Sequence, residues 1–101
     1  MPVVRVSIQA EADIDLIAEY TKDTWGDIQA DAYLMKLEDG FELLARNPLI
    51  GRSCDQIRRG LRRYEIEKHV AFYIPARDGI LIVRVLHQRM LPAQSRLDAL
   101  S

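Results

Sequence analysis

Cysteine is nearly missing from this chain. Cys54 is the only one in 101 residues, so no intramolecular disulfide can form. With no export signal, a reducing cytoplasm is the expected compartment. Histidine is almost as scarce. His69 and His87 are the only two, and with one cysteine they form no recognisable zinc-ligand spacing, so neither metal nor cofactor is expected. No apolar run approaches the ~18–20 residues that a membrane span needs. The opening stretch MPVVRVSIQAEAD lacks the long apolar segment and small-residue cleavage site of a signal peptide. Repeats, linkers and low-complexity tracts are absent too. The length suits a single domain over residues 1–101 with one modest core, ending in a polar, loosely ordered tail over 91–101.

What is present is lopsided in charge. The net charge is −1. Residues 1–45 contain Arg5, Lys22 and Lys36 against ten acids, whereas residues 46–101 contain eleven basic residues against five acids. A cationic second half suits an anionic partner; equally, the halves neutralise each other where they pack. The cations are also clustered. Arg46, Arg52, Arg58, Arg59, Arg62 and Arg63 fall within eighteen residues, all of them arginine. Guanidinium is the preferred fork for carboxylates and phosphates, so this stretch is either a contact surface or a solvated loop balancing the acidic half.

The hydrophobic period changes along the chain. Val3 to Ser7 reads as a short strand, with Ser7 placed to cap a helix. Ala10, Ile14, Ile17, Ala18, Thr21 and Trp25 recur at helical spacing, Gly26 interrupts, and Ala30, Tyr33, Leu34, Leu37, Phe41 and Leu44 resume it until Asn47-Pro48. Two amphipathic helices with a tight turn make an αα-hairpin. Residues 47–60 have no sustained period and read as a loop. After it the period is two: Leu61–Lys68, Val70–Pro75 and Ile80–Gln88 are strand candidates, with His69 between the first two and Asp-Gly in the 76–79 connection. The fold class expected is α+β, in the order β-α-α-β-β-β: an antiparallel sheet with the N-terminal helical hairpin packed on one face. Where the first strand joins stays open.

The last strand, LIVRVLHQRM at 81–90, is the most apolar and the oddest. Alternation puts Ile80, Ile82, Arg84 and Leu86 on one face and Leu81, Val83, Val85, His87 and Arg89 on the other. With both faces largely apolar, the strand is expected to be central or covered on both sides. Arg84 then requires an anion, and Glu65 or Glu67 on a neighbouring strand is the expected source. His87 and Arg89 fall at the strand end.

S-x-x-A-x-x-D at 7–13, N-P-x-x-G-R at 47–52, G-L-R at 60–62 and V-L-H-x-R-M at 85–90, in this element order, resemble the ParE branch of the ParE/RelE toxin superfamily of bacterial type II toxin–antitoxin pairs. The likeness runs over about residues 3–91. One departure is Leu91 before Pro92, where the family often has Asp-Pro. The resemblance implies a toxin that blocks DNA gyrase without an enzymatic activity of its own. It also implies a cognate antitoxin whose flexible C-terminal segment folds on the toxin, with DNA met only indirectly through the antitoxin. Candidate contacts with target or antitoxin are Arg58, Arg59, Arg62, Arg63, His87 and Arg89. Tyr33 and Phe41 either line an antitoxin groove or, being on the apolar face of their helix, belong to the core. The alternative is a RelE-like ribosome-dependent mRNA endonuclease. Its metal-free chemistry would need an acid, a base and cations beside the phosphate, and His87, Tyr73 and Arg63 would supply those groups. A degenerate toxin that retains only antitoxin binding is the third reading.

Overall fold

The computed structural model describes residues 1–91. The elements are β1 (Val3–Val6), α1 (Ile8–Trp25), α2 (Asp27–Arg46), β2 (Arg52–Ser53), β3 (Arg62–Ile66), β4 (His69–Ala76) and β5 (Gly79–His87), closed by a single 3₁₀ turn at Gln88–Met90. The tail expected over 91–101 lies, apart from Leu91, outside the described residues. Among the described residues no helix is long and apolar enough to cross a membrane.

Both helices begin and end where their residues dictate. Ser7 is extended, and its hydroxyl accepts from the Ala10 amide, satisfying one of the free amides of the first turn. Gly26 adopts φ +93°, closes α1 through its amide to the Lys22 carbonyl and starts α2 in the same step. A side chain there would be strained, so the turn needs this glycine.

The sheet order is β1-β5-β4-β3-β2. β3, β4 and β5 form the expected antiparallel meander, while β1 runs parallel to β5, with Val3 opposite Gly79 and Val6 opposite Ile82. The sheet is therefore mixed. β5 is central and covered on both faces, as its composition required. On one face, Ala10, Ile17, Leu37, Phe41 and Leu44 of the hairpin meet Ile66, Ala71, Tyr73, Ile80, Ile82 and Val85. On the other, the loop after α2 supplies Cys54, Ile57 and Leu61, which cover Val70, Phe72 and Leu86 together with Leu91. The aperiodic 47–60 segment is thus the lid of a second core.

Three expectations are corrected. The β3–β4 turn is Glu67-Lys68, with Glu67 at φ +56°, and His69 is a buried residue of β4. Trp25 is 67% exposed and leaves the helical face assigned to it. The strict alternation of faces along β5 also fails. The register shifts between Phe72 and Tyr73, so Ile80 and Ile82 pack under the helices together with Val85. A bulge adds one residue and swaps the faces beyond it.

Candidate functional site

The four motifs serve first as joints of the fold. Ser7 caps α1, its amide donates to the Ile82 carbonyl and its hydroxyl to that of Val83. Ala10 is fully buried. Asp13, two turns into α1, reaches β5. Its Oδ2 accepts from Arg84 Nε at 2.8 Å and from the Val85 amide at 3.0 Å, and its Oδ1 accepts from Arg84 Nη2 at 3.0 Å. This corrects the partner expected for Arg84. Glu65 instead lies 3.8 Å from Arg52, and Glu67 faces Lys36. β4 lies between β3 and β5, so neither glutamate is on a strand beside Arg84. The hydrogen bonds to Asp13 raise the Arg84 pKa against the opposing effect of burial.

N-P-x-x-G-R is a clasp around Tyr73. The Tyr73 hydroxyl donates to the Pro48 carbonyl at 2.8 Å and accepts from the Gly51 amide at 3.0 Å. The Gly51 carbonyl in turn accepts from Arg62 Nη1 at 2.6 Å. A Cβ at Gly51 would lie 2.4 Å from the Tyr73 oxygen and 2.8 Å from the Arg63 carbonyl, so only glycine fits. Tyr73 is fully buried, and burial raises its pKa. Tyr73→Phe leaves the Pro48 carbonyl and the Gly51 amide without their partner. The expected loss is about 1–3 kcal/mol by denaturant unfolding, with the helical circular dichroism unchanged. A change below about 0.5 kcal/mol would show that water replaces the hydroxyl.

The three groups proposed for RNA cleavage are not brought together. Tyr73 faces the helices, whereas Arg63 lies across the strand from Phe72 on the opposite face, its guanidinium 5.8 Å from the Phe72 ring. His87 pairs with His69, four residues along β4 from Tyr73, roughly 13 Å at about 3.3 Å per residue. His87 Nδ1 accepts from the Arg89 amide and caps the 3₁₀ turn. Its ring meets that of His69 edge-on at 5.1 Å. His69 Nδ1 is 2.5 Å from the Tyr33 oxygen, which also accepts from the Lys68 amide at 3.1 Å. Burial, with His87 nearby, lowers the His69 pKa to about 4, so the ring is neutral at pH 7 and its tautomer sets which of the two groups donates. Tyr33 therefore has a structural job, tying α2 to the β3–β4 turn. Phe41 is 5% exposed and lies in the core, yet its edge reaches a cleft.

That cleft is the feature the sequence did not disclose. It runs between the outer edge of β1 and α2, with a volume of about 320 Å³. Val4, Val6, Ile14, Leu34, Leu37 and Phe41 line it, and Glu38 and Glu42 stand at its α2 rim. The amides of Val3 and Ser7 donate to Asp78 and Ile82 on the β5 side. By alternation, the peptide groups of Val4 and Val6 face away from the sheet. The open edge and the apolar cleft are thus adjacent.

A second cleft, of about 310 Å³, lies at the other edge, where β2 stops after two residues. Ile50, Arg52, Arg63, Tyr64 and Glu65 line it. Arg52 and Arg63 are cross-strand partners, and the buried Arg63 Nε has no hydrogen-bond partner among the described residues. Of the other candidates, Arg62 is held by Gly51, whereas the side chains of Arg58, Arg59 and Arg89 are exposed. The arginine group thus divides into Arg62, which braces the fold, and cations at the surface. Among the described residues, no group of three or more His, Cys, Asp or Glu side chains is arranged to hold a metal ion.

Comparison with known proteins places these features in a family. A family model described as "ParE toxin of type II toxin-antitoxin system, parDE" matches residues 4–92. Toxin ParE1 of Mycobacterium tuberculosis is 43% identical over 86 residues, covering 84% of this chain and 88% of that protein. Toxin ParE1 of Caulobacter vibrioides is 39% identical over 92 residues, covering 89% and 93%. Toxin ParE of Escherichia coli is 35% identical over 86 residues, covering 84% of each. Among solved structures, a chain of the chromosomal ParDE toxin–antitoxin system from P. aeruginosa superimposes with a TM-score of 0.72 at 21% identity, covering 86% of this chain and 96% of that one.

Proposed function

The chain belongs to the ParE toxin family of type II toxin–antitoxin systems, and we propose that it acts in the cytoplasm by blocking DNA gyrase and is silenced by a cognate antitoxin docked along β1 and α2. The observation that carries the docking is the apolar cleft beside a strand edge that is unpaired among the described residues. An extended segment laid along β1 would gain main-chain hydrogen bonds from the outward groups of Val4 and Val6, and its alternate side chains would enter the cleft over Leu34 and Phe41. Acidic side chains elsewhere on the antitoxin would meet Arg52 at the opposite edge, in the cleft that Arg63 also lines. The gyrase reading draws on the family. It is supported by residues that build joints and surfaces, by the burial of Tyr73 in the core and by the distance of His87 along β4 from it.

Induced expression of the chain alone in a bacterial host, following DNA integrity and translation in the first minutes, tests the target. DNA breakage with translation intact is expected; an immediate translation stop with cleaved mRNA would instead select the endonuclease. For docking, Leu34→Asp puts a third carboxylate beside Glu38 and Glu42 on a half-buried, cleft-lining position. Antitoxin affinity should fall at least 100-fold by titration calorimetry while growth inhibition persists. Unchanged affinity would place the antitoxin elsewhere.

A further inference from the structure

The outward side of the helical hairpin is used by neither the core nor the clefts, and its composition is unusual. At about 100° per residue, Ile8, Leu16 and Tyr20 form a band on α1 that winds from the pole opposite Ala10 and Ile17 onto the flank, and Ile28 and Met35 run along the pole of α2 opposite Leu37. All five are well exposed, from 62% at Met35 to 85% at Ile8 and Ile28. Scattered singly, exposed apolar residues carry no meaning, but two bands side by side on one helical hairpin do. The ground between them is acidic. Asp15, Glu19, Asp23, Asp31 and Asp39 are all exposed, and over residues 8–46 the only basic side chains are Lys22, Lys36 and Arg46.

Charge decides what such a face can meet. A second copy of the same face, an anionic lipid surface and a nucleic acid would each bring negative charge against negative. The complement is a cationic protein surface with apolar edges. If gyrase is the target, it must own one, since holding duplex DNA requires a row of cations facing the phosphates. We infer that the outer face of the α1–α2 hairpin is the surface through which this toxin engages gyrase, docking on part of the cationic surface that otherwise holds DNA. This rests on the gyrase reading above. It also moves the target contact away from the arginine loop, leaving that loop and the β1 cleft to the antitoxin. Toxin and antitoxin then occupy different sides of the molecule with respect to the target.

The test uses the full chain, purified gyrase and the cognate antitoxin. Leu16→Ser with Tyr20→Ser removes the centre of one band, and Asp15→Asn, Glu19→Gln and Asp23→Asn together remove three charges; all five positions are exposed and have little part in the core. Each combination is expected to raise the concentration needed to inhibit supercoiling tenfold or more, with circular dichroism and antitoxin affinity unchanged. The charge-removed variant should also show a flatter dependence of inhibition on salt. Inhibition within tenfold of the parent chain by both variants would overturn the inference, as would an equal loss of antitoxin binding. A parent chain that leaves supercoiling untouched would be a different result, removing the gyrase reading itself and the inference with it.

Discussion

Asp13→Ala is expected to destabilise the protein by about 3–5 kcal/mol, a large fraction of the whole stability of a small domain. The side chain of Asp13 is 11% exposed and accepts three hydrogen bonds, two from Arg84 and one from the Val85 amide. Without it, a guanidinium only 32% exposed loses its anion, and an amide next to the β5 bulge loses its acceptor. Leaving one charge of such a pair stranded is what costs; replacing both members by apolar groups is often nearly neutral. Asp13→Leu combined with Arg84→Met should therefore regain more than half of the loss. At about 4–8 °C per kcal/mol for a domain near this size, the single variant should melt at least 12 °C lower. Denaturant unfolding at pH 7 measures both variants. A loss below about 1 kcal/mol for Asp13→Ala would mean that the pair behaves as a solvated surface bridge.

The second large effect concerns a residue with no side chain, Gly79. A Cβ on Gly79 would lie 1.9 Å from the Val3 carbonyl oxygen and 2.7 Å from its carbon, and the backbone φ is +154°. These are backbone atoms, so no rotamer change relieves the contact; β1 itself must move off β5. Gly79→Ala is expected to cost upward of about 4 kcal/mol, within the small class of severe single substitutions. Because Val4 and Val6 form one wall of the cleft, antitoxin affinity should fall with it, even under conditions where the helices persist. Hydrogen exchange offers a direct reading. The amides of Val3 and Ser7, which donate into the β5 side, should lose protection in the variant while α2 retains it. Intact protection at Ser7 would show that the strand shifts without detaching.

How much of this was legible in the sequence depends on the range of each interaction. The helices were, because Ser7, Gly26 and Asn47 mark their ends locally and the apolar residues between keep one period. The meander was as well. The two-residue β2 was not: Arg52 and Ser53 are too few to show a period, and the pair is a strand only because β3 lies beside it. The bulge opposite Phe72 and Tyr73 was equally invisible, and it misdirected the faces of β5; the search for the Arg84 partner failed because the strand order, with β4 between β3 and β5, was not legible. Alternation places residues on faces only while the register holds. Asp13 stood out only as the last residue of the 7–13 motif, because its partner is 71 residues away. Nothing in the spacing of Tyr33 and His69 pointed to their bond, and the cleft has walls from three elements, so no window of sequence contains it. The arginine cluster was visible as composition, yet its division into a brace at Arg62 and surface cations depends on Gly51 and Phe72.

The parallel pairing of β1 with β5 sets a schedule for biosynthesis. Each residue of 3–6 is made 76 residues ahead of its partner at 79–82, as Val3 pairs with Gly79 and Val6 with Ile82. The helical hairpin has only local contacts to form and can fold while the rest is still being translated; strand pairing over so long a separation must wait. At about 5–20 residues per second, several seconds separate the appearance of Val4 and Val6 from that of their partners. The cleft wall they form, and with it the proposed seat of the antitoxin, is thus completed only after residues 79–82 have been made and paired. An antitoxin captured through that seat would meet a toxin whose sheet has closed on β1, and never the helical hairpin alone.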